Sequence, residues 1–275
     1  MKPVVETSIT ELDRGWMLVR HTPISKLKRT ILCLHGLGDS SLAFSEAFQS
    51  SQLERFNVIA PDLLGHGGSS GAPDGDYSFA AQIKGVNRII DEFQVSEFLL
   101  VGHSLGADIA THLTANDLGR VRGLVNVEGN LTPPDVIISK QAVSAADQDD
   151  FGRWFRDDFM ARTVLNKWAP KWLSCRRYYA SLWFCRSEAF LSSAREVCRQ
   201  NAPILNRPES QTGFIFEQIM IPKTYCWGDS ISDETSKLLK DNRIQNWPFP
   251  DAFHWPMIDR AEEFYHLLSE FNSQE

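Results

Sequence analysis

The sequence predicts an α/β fold, with a mostly parallel central sheet flanked by helices and interrupted by one helical insertion. Three observations carry this. Residues 30–34, 56–60, 98–101, 122–127 and 223–227 are short apolar runs suited to strands buried on both faces. Segments of helical spacing alternate with them, which places helices on both faces of a parallel sheet. The alternation stops between Pro133 and about Pro208 and then resumes. Residues 1–132 and 209–275 are therefore expected to form one core, with residues 133–208 as a helical cap inserted into it.

The elements follow in order. Residues 4–10 and 16–21 alternate polar and apolar and are joined by Asp13-Arg14-Gly15, which reads as an antiparallel hairpin. The strand at 30–34 ends at His35-Gly36-Leu37-Gly38-Asp39-Ser40, after which residues 40–51 have helical spacing. The strand at 56–60 leads into a turn-rich stretch from Pro61 to Ser70. Ile83, Val86, Ile90 and Phe93 share one face of a helix expected over residues 78–93. The run 98–101 is followed by a helix from Leu105 to about Asp117, and strand 122–127 ends at Glu128-Gly129-Asn130. The cap segment is rich in Trp, Phe, Tyr and Arg, mostly at helical spacing, with breaks near Pro170 and at Asn201-Ala202-Pro203. Beyond it come strand 223–227, a helix over 233–241, a strand over 243–247 and the loop holding His254. A last helix is expected over 256–271, with Phe264, Leu267, Leu268 and Phe271 as its apolar stripe.

Composition narrows the function classes. Hydrophobic content of 43% and charged content of 23% are those of an ordinary globular protein with a sizeable core. The formal net charge of −7, from 28 basic and 35 acidic residues, argues against nucleic acid or an anionic membrane as the main partner. A small-molecule substrate is the expected partner, and oligomeric state is not indicated. Cys33, Cys175, Cys185, Cys198 and Cys226 are odd in number, widely spread and without metal-site spacing, so reduced thiols, no metal and a cytoplasmic setting are expected. Met1-Lys2-Pro3-Val4-Val5-Glu6 lacks the apolar core of a signal peptide, and no run approaches membrane-spanning length.

The chemistry centres on Gly102-His103-Ser104-Leu105-Gly106, in which a buried strand turns sharply into a helix. A turn of this Gly-x-Ser-x-Gly kind strains its apex residue and lifts the Ser104 hydroxyl clear of the sheet. Gly102 and Gly106 are needed where strand and helix pass closely.

With this stretch in place the chain resembles the α/β-hydrolase family over nearly its whole length. His35-Gly36-Leu37-Gly38 is similar to that family's oxyanion loop, and Pro61-Asp62-Leu63-Leu64-Gly65-His66-Gly67-Gly68-Ser69 to the turn after its next strand. Gly102-His103-Ser104-Leu105-Gly106 matches its nucleophile elbow, and Phe253-His254-Trp255-Pro256-Met257 resembles the histidine loop before its final helix. The resemblance implies an α/β-hydrolase fold with Ser104 as nucleophile and His254 as the base that removes its proton. It also implies an oxyanion hole from the backbone N–H groups of Leu37 and Leu105. His35 and His103 are read as shaping backbone and packing, and His21, His66, His112 and His266 as structural or solvent-facing.

The acid that orients His254 has two candidates. The family's usual place, three residues beyond the glycine after the penultimate strand, holds Ile231 here, with Asp229 and Asp233 nearby; Asp233 reads as part of a helix cap. Glu128 ends the strand after the nucleophile helix, 128 − 104 = 24 residues from Ser104, a separation similar to that in haloalkane dehalogenases. A carboxylate there would be partly buried and needs a partner such as an imidazole. Glu128 is preferred and Asp229 is the alternative. Dehalogenases and epoxide hydrolases of this fold place an Asp at the elbow, so Ser104 points instead to acyl transfer to water. An ester, thioester or lactone is the expected bond, amide or carbon–carbon bonds less often, and no cofactor is implied. A slow-turnover ligand-binding protein and a non-hydrolytic lyase or cofactor-independent oxygenase are the alternatives on the same scaffold. The cap aromatics would favour an apolar substrate, although most read as the cap's own core. Arg153, Arg156, Arg162, Arg176 and Arg177 read as solvated helix faces, with a hold on a substrate anion as the alternative.

Overall fold

The structure is a computed structural model that describes residues 4–117, 119–229 and 231–271. Met1, Lys2 and Pro3, the first residues of the stretch without a signal-peptide core, Ser230 beside Asp229, and residues 272–275 lie outside the described residues.

The apolar runs form strands β1 (Glu6–Glu11), β2 (Trp16–His21), β3 (Arg29–Leu34), β4 (Phe56–Pro61), β5 (Phe98–His103), β6 (Val121–Val127), β7 (Lys223–Trp227) and β8 (Asn246–Pro248). They make one sheet in the order β1-β2-β4-β3-β5-β6-β7-β8. The hairpin β1–β2 and the β2–β4 pair are antiparallel; every pairing from β4 through β8 is parallel. β3, β4 and β5 are buried along nearly their whole length, as continuous apolar runs require when helices cover both faces. Helix α1 (Phe79–Glu92) is capped by Ser78, whose side chain accepts from the Ala81 N–H, and it buries Phe79, Val86, Ile89 and Ile90. The buried face is thus rotated slightly from the expected one: Ile83 and Phe93 are only half-buried. Helix α2 (Leu105–Asn116) runs directly from the serine turn.

Between β6 and β7 the chain makes a helical excursion. It comprises α3 (Ile137–Asp147), the single turn α4 (Phe151–Arg153), a π-helix over Trp154–Trp168, α5 (Leu173–Leu182) and α6 (Ser187–Gln200). Helix α7 (Gln211–Gln218) follows and packs on α2. The π-helix explains the apolar spacing here. Phe155, Phe159 and Val164 are buried at steps of four and five residues, with Met160 next to Phe159 and five residues from Phe155, close to the interval of an i→i+5 helix. Phe155, Phe159 and Phe190 pack against one another with ring centroids 4.7–6.4 Å apart. Burying each side chain contributes on the order of 2–3 kcal/mol. The chain closes through α8 (Asp233–Asp241), α9 (Pro256–Asp259) and α10 (Ala261–Phe271). Among the described residues no helix is long and apolar enough to cross a membrane, and all five cysteines are free.

Three expected elements differ. Residues 40–51 form two short 3-10 pieces, Ser41–Phe48 and Ser51–Leu53, because Asp62 Oδ1 captures both the N–H and the hydroxyl of Ser41 and fixes the first turn. β8 begins at Asn246, not Arg243. The amides of Asn242, Arg243 and Ile244 are spent closing α8 on Leu238, Lys240 and Leu239, and Arg243 sits at φ 50°. The last helix is broken at Arg260 (φ −130°, ψ 47°). There the Asp259 carboxylate is held by the Ser174 N–H and hydroxyl and by the Phe253 N–H.

Two contacts bear on stability. A Cβ on Gly106 would meet the carbonyl oxygens of Leu34 and His35, and one on Gly102 would meet Gly106 O, so strand and helix pass backbone to backbone. Gly106→Ala is therefore expected to destabilise the protein by about 3 kcal/mol in urea unfolding, the upper range for overpacking, since backbone cannot rotate aside.

Asp108, wholly buried on α2, ties the excursion down at both ends. It accepts from the Asn130 N–H (2.9 Å) and Nδ2 (2.8 Å) before the excursion and from Asn201 Nδ2 (2.8 Å) after α6. Burial pushes its carboxyl up to about 7 against the pull of those three donors. The folded state then holds a proton between roughly pH 4 and 7 that the unfolded chain, with an ordinary Asp, releases. This group's stabilisation is present at the acid end and lost as pH rises through about 7. Comparing pH 5 with pH 8, wild type should lose about 2–3 kcal/mol more than Asp108→Asn in chemical unfolding. Equal losses would show that the buried carboxyl does not titrate in this window.

Candidate active site

The parallel register brings the site together. In β5 and β6, Gly102 pairs with Asn126 and His103 with Val127, so Ser104 and Glu128 are the next residues at neighbouring strand ends. The Ser104 N–H still donates to Val127 O (2.8 Å), and the Glu128 N–H to Cys226 O on β7 (3.0 Å). Each chain then turns out of the sheet through a left-handed residue, Ser104 at φ 51° and Glu128 at φ 54°. Non-glycine residues there cost about 1–3 kcal/mol, an expense typical of functional turns.

One strand further, the Gly228 N–H donates to Glu128 Oε1 (2.6 Å), while His254 Nδ1–H donates to Glu128 Oε2 (2.8 Å). Both carboxylate oxygens are thereby used, and the side chain is only 12% exposed. In the neutral ring, a proton on Nδ1 directed at Glu128 leaves Nε2 as the acceptor nitrogen. Asp229 lies exposed on the wall of the same cavity and makes no hydrogen bond to His254.

His103 supports His254 from below. Its Nε2–H donates to His254 O (2.9 Å) and its ring stands edge-on to the His254 ring, centroids 4.7 Å apart. Burial, and after it the neighbouring His254, hold His103 well below the usual histidine range, so it is neutral. His35 organises the neighbouring loops. Its Nδ1–H donates to Gly36 O (2.8 Å) and its Nε2 accepts from the Leu63 N–H (2.9 Å); burial pulls its pKa down. His66 and His112 are also lowered by burial, to about 3 and about 4.

Leu37 and Leu105 line the cavity beside Ser104. Among the described residues their backbone N–H groups donate to no protein atom. The Leu37 loop is pinned by two groups from far along the chain. Tyr178 on α5 donates its hydroxyl to Leu37 O (2.8 Å), and Trp255 Nε1–H donates to the buried Asp39 Oδ2 (2.9 Å). Trp255 could have been suspected from its place beside His254. Tyr178 comes from 141 residues away along the chain and could not.

The cavity holds 460 Å³ and is walled by Phe159, Trp168, Tyr178, Tyr225, Phe253 and Trp255, with Val136, Ile137, Ile138 and Val197. Phe159, Trp168 and Tyr178 are thus the aromatics of residues 133–208 that reach it, while Trp183 and Phe184 are exposed. The arginines of that segment lie elsewhere. Arg153 pairs with Asp150 and Asp158, Arg162 with Asp158 and Arg177 with Glu46; Arg176 donates to Ala169 O and Pro170 O; Arg156 is exposed.

A family model described as the alpha/beta hydrolase fold matches residues 29–188. An uncharacterised protein of Mycobacterium tuberculosis is 42% identical over 80 residues, 29% of this chain and 23% of that protein. A 2-hydroxymuconate semialdehyde hydrolase of Pseudomonas putida is 37% identical over 97 residues, 34% of each chain. A haloalkane dehalogenase of Mesorhizobium japonicum is 36% identical over 100 residues, 36% of this chain and 31% of its own. The matched stretches thus span about a quarter to a third of those relatives. Among solved structures, an N-acyl homoserine lactonase superposes with a TM-score of 0.75 at 19% identity, covering 98% of this chain and 96% of its own. A thioesterase domain from the curacin biosynthetic pathway gives 0.70 at 20% identity, covering 96% and 99%.

Proposed function

The chain belongs to the alpha/beta hydrolase fold family, and from that premise we propose that it hydrolyses an ester-type bond of a small, largely apolar substrate through Ser104, His254 and Glu128. The bond is a carboxylic ester, thioester or lactone. The observation that carries this reading is the 2.8 Å contact of His254 Nδ1 with Glu128 Oε2 beside the strained Ser104 turn. His254 Nε2 takes the proton as Ser104 Oγ attacks the acyl carbon, and Glu128 steadies the imidazolium that forms. The Leu37 and Leu105 N–H groups receive the oxygen that becomes negative in the tetrahedral intermediate. Collapse expels the alcohol or thiol, which takes the proton from His254. A water activated by the same nitrogen then cleaves the acyl-enzyme.

The helices of residues 133–208 act as the cap that closes this cavity. Its 460 Å³ fits a small molecule. Five unpaired cysteines fit a reducing compartment, the cytoplasm. A panel of aryl esters of increasing acyl length tests the reading, with Ser104→Ala as the control. Faster aryl-alcohol release by wild type on at least one ester is expected. Release no faster than that of the Ala variant on every ester overturns hydrolysis and favours a ligand-binding role.

A further inference from the structure

The cavity is one-sided in charge. Asp39, Glu128, Asp135 and Asp229 bring four carboxyl groups to its wall, and no Lys or Arg is among the described residues that line it. Three of the four are committed within the protein. Asp39 receives the Ser40 N–H and the Trp255 Nε1–H. Glu128 is used by His254 and Gly228. Asp135 receives the N–H groups of Leu131 and Thr132 and the hydroxyls of Thr132, Ser232 and Thr235. Asp229 has no hydrogen-bond or ion-pair partner among the described residues and stands exposed on the wall.

An anionic group entering this space would meet carboxyl groups, among them the unpartnered Asp229, with no Lys or Arg to answer it, against aromatic walls that weaken solvent screening. A cation meets the reverse. Aromatic faces attract it, and Asp229 offers an unpaired carboxylate. Resting on the ester-hydrolase reading above, we propose that the cavity rejects substrates bearing a carboxylate or phosphate near the scissile bond and prefers those bearing an ammonium group, which Asp229 receives.

Two measurements separate this proposal from the reading it rests on. The first is binding of phenylbutylammonium, phenylbutanol and phenylbutyrate to Ser104→Ala at low salt, followed by quenching of tryptophan fluorescence from Trp168 and Trp255. The ammonium compound should bind about fivefold more tightly than the alcohol, and the carboxylate at least about fivefold more weakly. In Ser104→Ala/Asp229→Asn the ammonium-to-alcohol ratio should fall towards one. The second is kcat/KM on phenyl esters of matched length ending in trimethylammonium, methyl or carboxylate, expected in that order. A carboxylate that binds as well as the alcohol overturns the proposal, as does a ratio unmoved by Asp229→Asn or failure of all three ligands to bind. Absence of turnover with the binding order intact would sink the hydrolase reading alone.

Discussion

Ser104→Ala is expected to lower kcat on the best aryl ester about 10⁵- to 10⁶-fold, the loss found when the nucleophile of a serine hydrolase is removed. The effect is large because no other group takes over. The neighbouring thiol and hydroxyl on β3 and α2 are committed elsewhere: Cys33 on β3 is wholly buried, with burial holding its thiol far above the usual range, and Thr111 on α2 donates to Ala107 O. The cavity, the free Leu37 and Leu105 N–H groups and His254 all survive the change. A residual rate about 10³-fold over water is therefore expected from the oxyanion donors and from binding. KM should stay within a few-fold of wild type, because the hydroxyl contributes mainly in the transition state. The measurement is steady-state turnover on protein whose wild-type contamination has been titrated with a fluorophosphonate. A variant keeping a tenth of the activity would remove Ser104 from the mechanism.

Glu128→Gln should cost about 10³- to 10⁴-fold in kcat, against less than about tenfold for Asp229→Asn. Glutamine fills the same space, and its oxygen can still accept the Gly228 N–H that now meets Oε1. Its amide NH₂ then faces His254 Nδ1, where Glu128 Oε2 accepts. Two donors cannot share that position, so the ring moves its proton to Nε2 and presents a donor where a base is needed. The imidazolium also loses its counter-charge. A structural role for Glu128 would lower stability while leaving kcat per folded molecule intact, so unfolding should be measured alongside rate. If Asp229→Asn abolishes turnover and Glu128→Gln does not, Asp229 is the acid.

The choice between the two carboxylates shows where sequence reading reached its limit. Spacing left Glu128 and Asp229 both open, because each follows an apolar strand by one or two residues. In the sheet, β6 lies between β5 and β7. The residue leaving β6 therefore stands beside Ser104, while the Gly228 amide leaving β7 is spent holding Glu128. Asp229 is left facing the cavity rather than the imidazole.

The strands, the alternation, the serine turn and the place of Leu37 and Leu105 beside it were legible because each is a local pattern, set by burial period or by backbone geometry within a few residues. The π-helix, the 3-10 pieces over residues 41–53, the break at Arg260 and the late start of β8 were not, since each depends on a distant partner or a helix stop. Tyr178, which holds the Leu37 loop from 141 residues away, was invisible for the same reason. Local sequence pattern carried the fold class and singled out Ser104, His254, Leu37 and Leu105 as the candidate site residues. Only the tertiary structure decided which carboxylate meets His254 and what charge the cavity presents. Those are properties of strand order and of side chains that converge from far apart in the chain.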